Sequence, residues 1–409
     1  MKIWHPYTQH FYSSDLPEIE YARGAYLHTK DSRRILDAIS SWWVNIHGHC
    51  HPHIVQAIAN QAARLEQVIF AGFTHEPAER LALELGKWLP KELQTLFFSD
   101  NGSTSVEVAL KMALGFFHHR GENRKKVIAL EGAYHGDTFG AMAVGARGGF
   151  HRPYESHLFE VIRVPCNDPA VLEKVFQKNP DVAALIVEPL VLGAGGMQMY
   201  PSEILRKMAQ LCRDAGSLFI ADEVMTGFGR TGTFLACEQA DIVPDLVCLS
   251  KGITGGFLPL GVTLARQEIY DGFYSADRNR TFFHGHSYTA NPIACAAAVA
   301  SLEVFKSEES LSRVRRMSDW HSKRLAKLAE HPGISSTRVC GSIAAMDLAV
   351  SDSGYLSQIG PELYREFLAE GVLLRPLGNV VYLLPPYCVT ENDINEVYDV
   401  IEKCISRSL

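Results

Sequence analysis

No apolar run in the 409-residue chain approaches the ~18 residues that a membrane-spanning helix needs. The first residues, MKIWHPYTQHFYSS, contain no apolar stretch of the signal-peptide kind, so no secretory leader is expected. The nine cysteines form no CxxC pair, which excludes a disulfide framework or a ribbon-type metal site and fits reduced thiols. Strong charge of either sign is missing too. A formal net charge of −7 at pH 7 offers no basic face to nucleic acid or to an anionic membrane. There is no HExxH, no internal repeat and no low-complexity segment. The chain that remains is ordinary in composition, with 47% hydrophobic and 21% charged residues, and is long enough for two or three domains. A cytoplasmic protein without nucleic-acid or membrane partners is the expectation.

What is present centres on residues 217–251. Two short apolar runs each end in one charged residue: Ser217 to Ala221 stops at Asp222, and Leu246 to Ser250 stops at Lys251. Apolar runs of this length read as buried parallel strands. Open α/β sheets collect ligands at the carboxyl ends of their strands. Asp222 and Lys251 are thus expected to face one site. A lysine that forms a Schiff base and a carboxylate beside a ring nitrogen suit a pyridine-type cofactor, although a plain salt bridge at two strand ends explains the same pair.

A phosphate-type turn stands earlier. The strand-like Leu96–Ser99 is followed by DNGSTSVEVALKMALGFF, where Val106, Ala109, Leu110, Ala113 and Phe117 keep helical spacing. Gly102 and Ser103 sit at the start of that helix, where free N–H groups and the dipole favour an anion. The turn carries neither GxGxxG nor GxxxxGK[ST], which suits a single phosphate better than a nucleotide. Simple N-capping by Asn or Ser explains it equally.

Other segments fill out the pattern. Strands are expected at 25–29, 34–37, 127–131, 183–188, 260–265, 344–350, 372–374 and 380–384. Helices are expected from Pro52, around Leu81 and Leu85, over 201–215 and over 292–305. The loop GAYHGDTFGAMA places Tyr134 and His135 where both are expected to be open to a ligand. The run HGHCHPH sets His47, His49, His51 and His53 at alternate positions, but with no second ligand cluster and with Pro52 breaking the strand, a metal site is disfavoured. The composition turns charged near 306–311. The expected division is an N-terminal segment 1–45 packing with the small domain, a large cofactor domain 46–307 and a small C-terminal domain 308–409.

The segments ADEVMTGFGRTG (221–232) and PDLVCLSKGITGG (244–256) resemble those of the class III aminotransferases of fold type I, and the likeness covers essentially the whole chain. Within the family, WHPYTQ (4–9), SSWWVNIHGHCHP (40–52), GAYHGDTFGAM (132–142) and RPLGNVVYLLPPY (375–387) resemble the branch that serves biotin synthesis. The resemblance implies an α/β fold: a large domain with a mostly parallel central sheet flanked by helices, plus a smaller α+β domain. It implies pyridoxal 5'-phosphate as cofactor. The implied reaction moves an amino group from S-adenosylmethionine to 8-amino-7-oxononanoate, giving 7,8-diaminononanoate. Lysine as donor, or another class III ω-amino acid transaminase activity, are the alternatives.

Roles follow by resemblance. Lys251 holds the cofactor and shuttles the proton, and Asp222 pairs with the ring nitrogen. Gly102 and Ser103 bind the phosphate, and Tyr134 stacks on the ring. His286 and Ser287 reach the phosphate of the neighbouring subunit's cofactor, which implies a homodimer with sites at the interface. Tyr7, Trp42, Tyr134, Lys251 and Gly285 line the substrate site, and Arg375 takes the oxo-acid carboxylate. The family shows Pro-Thr where this chain has His286-Ser287. Trp43, Arg230 and Glu188 carry the bland readings of core, loop anchor and structural ion pair.

Overall fold

The computed structural model describes residues 1–12, 16–148 and 151–409; residues 13–15, inside the expected N-terminal segment, lie outside the description. A seven-stranded sheet forms the centre. Its spatial order is Leu93–Ser99, Gly261–Arg266, Leu246–Leu249, Leu218–Asp222, Val182–Val187, Lys126–Leu130 and Ile162–Val164. Only Gly261–Arg266 runs against the others, pairing antiparallel with both of its neighbours. The expected strand at 260–265 is therefore present, but it is the one reversed strand of the sheet.

Burial on both faces explains why these strands read as unbroken apolar runs. Every residue of Val182–Val187 is buried. Leu185 and Val187 pack into the larger core on one face, while Ala184 and Ile186 pack on the other, against Val106, Ala109, Leu110 and Ala113 of helix Gly102–His119. The alternation is the strand period of two, hidden from the sequence because both faces are dry.

Two smaller sheets are separate from this layer. Ile19–Arg23, Tyr26–Thr29 and Arg34–Asp37 form an antiparallel meander. Val372–Leu373, from the C-terminal part of the chain, pairs parallel with Arg34–Asp37. The remaining C-terminal strands, Ile334–Cys340, Ile343–Leu348 and Val380–Leu383, make a three-stranded antiparallel sheet. Ile19–Arg23 and Ile334–Cys340 were not legible as strands, because their side chains are mostly exposed or half-buried and polar. Leu384 N–H donates to the Ala38 carbonyl (2.9 Å) and Tyr387 N–H to that of Ile46 (2.8 Å), so the two ends of the chain are bonded together. No helix among the described residues is long and apolar enough to cross a membrane.

Candidate active site

The strand Leu218–Asp222 lies in the middle of the sheet, and Asp222 is its last residue. Its neighbour Leu246–Leu249 ends two residues before Lys251, whose φ of 45° turns the chain sharply off the sheet edge. The two side chains enter one cavity of about 630 Å3, which Gly102, Ser103, Tyr134, Glu188 and Trp43 also line. Two strand ends, as expected, and one helix N-terminus thus converge.

Asp222 and Lys251 do not form the plain salt bridge. Asp222 Oδ2 instead accepts from Nδ1 of His135 at 2.6 Å, and Oδ1 from the N–H of Val224 at 3.1 Å. His135 is itself buried, with Nε2 unpartnered, and it borders the same cavity as Tyr134, as expected of that loop. A carboxylate held by an imidazole presents a fixed orientation to the cavity.

Lys251 is enclosed. Its Nζ stands 4.7 Å from the centroid of the Trp43 ring. Burial lowers its pKa, and the negative charges of Asp222 and Glu188 only partly oppose that shift. Trp43 is therefore a wall of the cavity and not merely core, and its Nε1 donates to Tyr382 Oη at 3.0 Å.

Helix Gly102–His119 begins at the cavity. Asn101 caps it reciprocally with Thr104, each side chain bonding the other's N–H. This local capping leaves the first amides of the helix facing the cavity. A Cβ on Gly102 would lie 2.7 Å from Val224 Cγ1, so the helix can start this close to the Asp222 strand only with glycine. Ser103 Oγ accepts from the N–H of Asp137 at 3.3 Å.

Glu188 makes no ion pair of the expected kind. Its two oxygens accept the N–H groups of Tyr134 (2.8 Å) and Gly193 (2.9 Å), and burial pushes its pKa up to about 7, opposed in part by His135. It thereby fixes the loop that carries Tyr134. Arg230 is buried and anchors chain segments, donating to the carbonyls of Pro385 (2.7 Å) and Trp43 (3.3 Å). Its stretch, GFGRTG, has GxGxxG spacing but opens no helix, so it is not a nucleotide turn.

The remaining predicted residues divide into two groups. Tyr7, Trp42 and Arg375 gather at the mouth. Tyr7 Oη donates to Asp137 (2.5 Å) and lies 3.3 Å from Tyr134 Oη. Burial and the Asp137 bond hold the Tyr7 hydroxyl up at about 12. Arg375 lies 5.0 Å over the Trp42 ring and donates to the Tyr7 carbonyl at 3.1 Å. Asp137, at the centre of this cluster, was missed: nothing in its local sequence separates it from any loop aspartate. The second group, Gly285, His286 and Ser287, does not line the cavity of its own chain. Ser287 is exposed, and its carbonyl accepts from Gln67 at 2.7 Å.

The four alternating histidines diverge. His47 meets Ser301, His49 meets Asp37, His51 meets Glu308 and His53 meets Glu303.

Residues 11–405 match the family model described as aminotransferase class-III. The adenosylmethionine-8-amino-7-oxononanoate aminotransferase of Synechococcus elongatus is 52% identical, over 98% of this chain and 97% of that protein. The enzyme of the same name from Geobacter sulfurreducens is 39% identical, over 98% and 95%. Among solved structures, the adenosylmethionine-8-amino-7-oxononanoate aminotransferase of Methanocaldococcus jannaschii superposes with a TM-score of 0.95 at 35% identity, covering 100% of this chain and 97% of that one. A pyridoxal-phosphate-bound amine transaminase from an uncultivated Pseudomonas species gives 0.93 at 31% identity, covering 100% and 99%.

Proposed function

Because the chain belongs to the class III aminotransferase family, we propose that it aminates 8-amino-7-oxononanoate to 7,8-diaminononanoate in biotin synthesis, with S-adenosylmethionine as amino donor and pyridoxal 5'-phosphate as cofactor. The observation that carries the reading is the convergence of Asp222, Lys251 and the Gly102-Ser103 helix terminus on one cavity. These residues suit the cofactor chemically. An enclosed amine with a depressed pKa, a carboxylate braced by His135 and free helix amides match an aldehyde, a ring nitrogen and a phosphate. When bound, the cofactor would supply an aldehyde able to carry an amino group and a ring able to draw off an electron pair.

The chain's own residues do the rest. Asp222 offers its charge to the ring nitrogen in the orientation set by His135 and Val224. Lys251, whose pKa burial depresses, is equipped to take and return a proton at Nζ. Gly102 and Ser103 bind the phosphate, and Tyr134 and Trp43 wall the ring. Arg375 offers two parallel N–H donors to the oxo-acid carboxylate. Tyr7 and Trp42 line the entry with apolar faces, which suit both the nonanoate chain and a sulfonium.

Gly285, His286 and Ser287 act across a homodimer in this reading, completing the phosphate and substrate sites of the second copy. None of the three lines its own chain's cavity, which agrees with that assignment. The large domain is taken as 46–307, with 308–409 and the segment 1–45 as its smaller companion. A cytoplasmic setting fits the free thiols.

The test is a half-reaction. Protein loaded with pyridoxal phosphate is given S-adenosylmethionine or lysine separately, and the visible absorbance band is followed. Loss of the band with S-adenosylmethionine alone is expected. Loss with lysine alone changes the donor, and a band that neither discharges overturns the substrate assignment.

A further inference from the structure

Ser40, Ser41, Trp42 and Trp43 have φ values of 51°, 48°, 84° and 74°. Four consecutive residues with a Cβ thus occupy a region that such residues avoid even singly. Trp43 N–H donates to the Ile39 carbonyl (2.9 Å) and Val44 N–H to that of Ser40 (3.0 Å), so the segment is one turn of left-handed helix. No glycine eases it, and backbone strain of this kind persists only where the surroundings impose it.

Asp37 supplies much of that constraint. It is fully buried, at the end of strand Arg34–Asp37 and outside the cavity lining. Its Oδ1 accepts from the N–H groups of Ser41 (2.9 Å) and Ile39 (3.3 Å), and its Oδ2 from Ser41 Oγ (2.7 Å) and His49 Nε2 (2.9 Å). Every bond is therefore spent on the turn or on the imidazole that backs it. A second tie runs from Ser40 Oγ to the Leu384 carbonyl at 2.7 Å.

The turn delivers two side chains in opposite directions. Trp42 goes to the mouth, its ring under Arg375 and 5.4 Å from that of Tyr7. Trp43 goes inward, over the Lys251 amine. Relaxation to negative φ would swing both indoles away from these places.

We propose that Asp37 is a positioning residue of the active site: its carboxylate pins a left-handed turn that sets Trp42 against Arg375 and Trp43 against Lys251. The substrate side of this assignment rests on the function proposed above.

The experiment compares Asp37→Ala with Asp37→Asn, which keeps the shape and one acceptor oxygen. In the loaded enzyme, Asp37→Ala should raise KM for the oxo-acid by about ten- to a hundredfold. The donor's KM should move much less, and Asp37→Asn should recover most of the loss. In the cofactor-free protein, covalent uptake of pyridoxal phosphate is followed by visible absorbance against pH. Its midpoint should move upward in Asp37→Ala, because water reaching Lys251 undoes the burial that depresses its pKa.

A folded Asp37→Ala protein with wild-type KM and an unmoved midpoint overturns the proposal, since a merely structural carboxylate would change only the yield of folded protein. Should Asp37→Ala not fold, Ser41→Ala removes the single Oγ–Oδ2 bond. A rise of about threefold in the same KM is then expected, and no change overturns the proposal. If wild-type protein fails to aminate the oxo-acid, the functional reading fails, and the uptake midpoint still decides the role of Asp37.

Discussion

Gly102→Ala is a substitution whose effect can be worked from the geometry. The residue sits at the first position of its helix without a positive φ, so alanine is acceptable to the backbone there. Only space opposes it. The added Cβ would stand 2.7 Å from Val224 Cγ1 and 3.2 Å from Cγ2. Carbon atoms pack best at about 3.5–4.0 Å, so the gap must open by about 1 Å. Val224 is β-branched and stiff at χ1, which leaves the helix start as the part that yields. Overpacking of this kind costs about 1–3 kcal/mol. The cofactor-free protein can relax by shifting the helix start, whereas phosphate binding draws it back. The cost then emerges as affinity, about 5- to 150-fold for pyridoxal phosphate. The assay is equilibrium binding of pyridoxal phosphate and of pyridoxal, which lacks the phosphate and should lose far less. Adding Val224→Ala makes room and should restore most of the loss. Unchanged affinity, or equal losses for both ligands, would refute the placing of the phosphate at this helix.

Three further expectations stand on other parts of the site. Lys251→Ala should eliminate both turnover and the visible band of the loaded protein, and a variant that turns over normally would sink the lysine assignment. Arg375→Ala should weaken the oxo-acid by about 2 kcal/mol, or some thirtyfold in KM, the low end for a charged pair because the guanidinium is only half-buried; equal weakening of the donor would contradict its role. Glu188 has its folded pKa raised from 4.5 to about 7, so the folded chain holds an extra proton across that window. Stability therefore falls as pH rises from about 4.5 to about 7 and levels off above, by an amount on the order of 3 kcal/mol. Urea unfolding of Glu188→Gln at pH 5 and pH 8 should show that fall largely removed, and an identical pH dependence in both proteins would argue against a buried neutral carboxyl.

The strand-end pair Asp222 and Lys251 and the helix start at Gly102 were legible because each is local. An apolar run long enough to cross a sheet ends at its carboxyl edge, so Asp222 and Lys251 were placed by strand length alone. A helix N-terminus announces itself by its cap and its period, which placed Gly102 and Ser103. That Asp222 and Lys251 meet in one cavity follows from parallel neighbours sharing an edge.

Tertiary structure alone decided the partners. Asp222 bonds His135 and not Lys251, Glu188 takes two backbone amides and no cation, and Tyr7 meets Asp137. Arg375 reaches a carbonyl 368 residues away. Such pairings depend on how separate elements pack, and residue type says only that a polar group needs some partner. The left-handed turn at 40–43 was equally unreadable. Positive φ is signalled in a sequence by glycine or asparagine, whereas here it is imposed on serine and tryptophan by a buried carboxylate and a carbonyl from the far end of the chain.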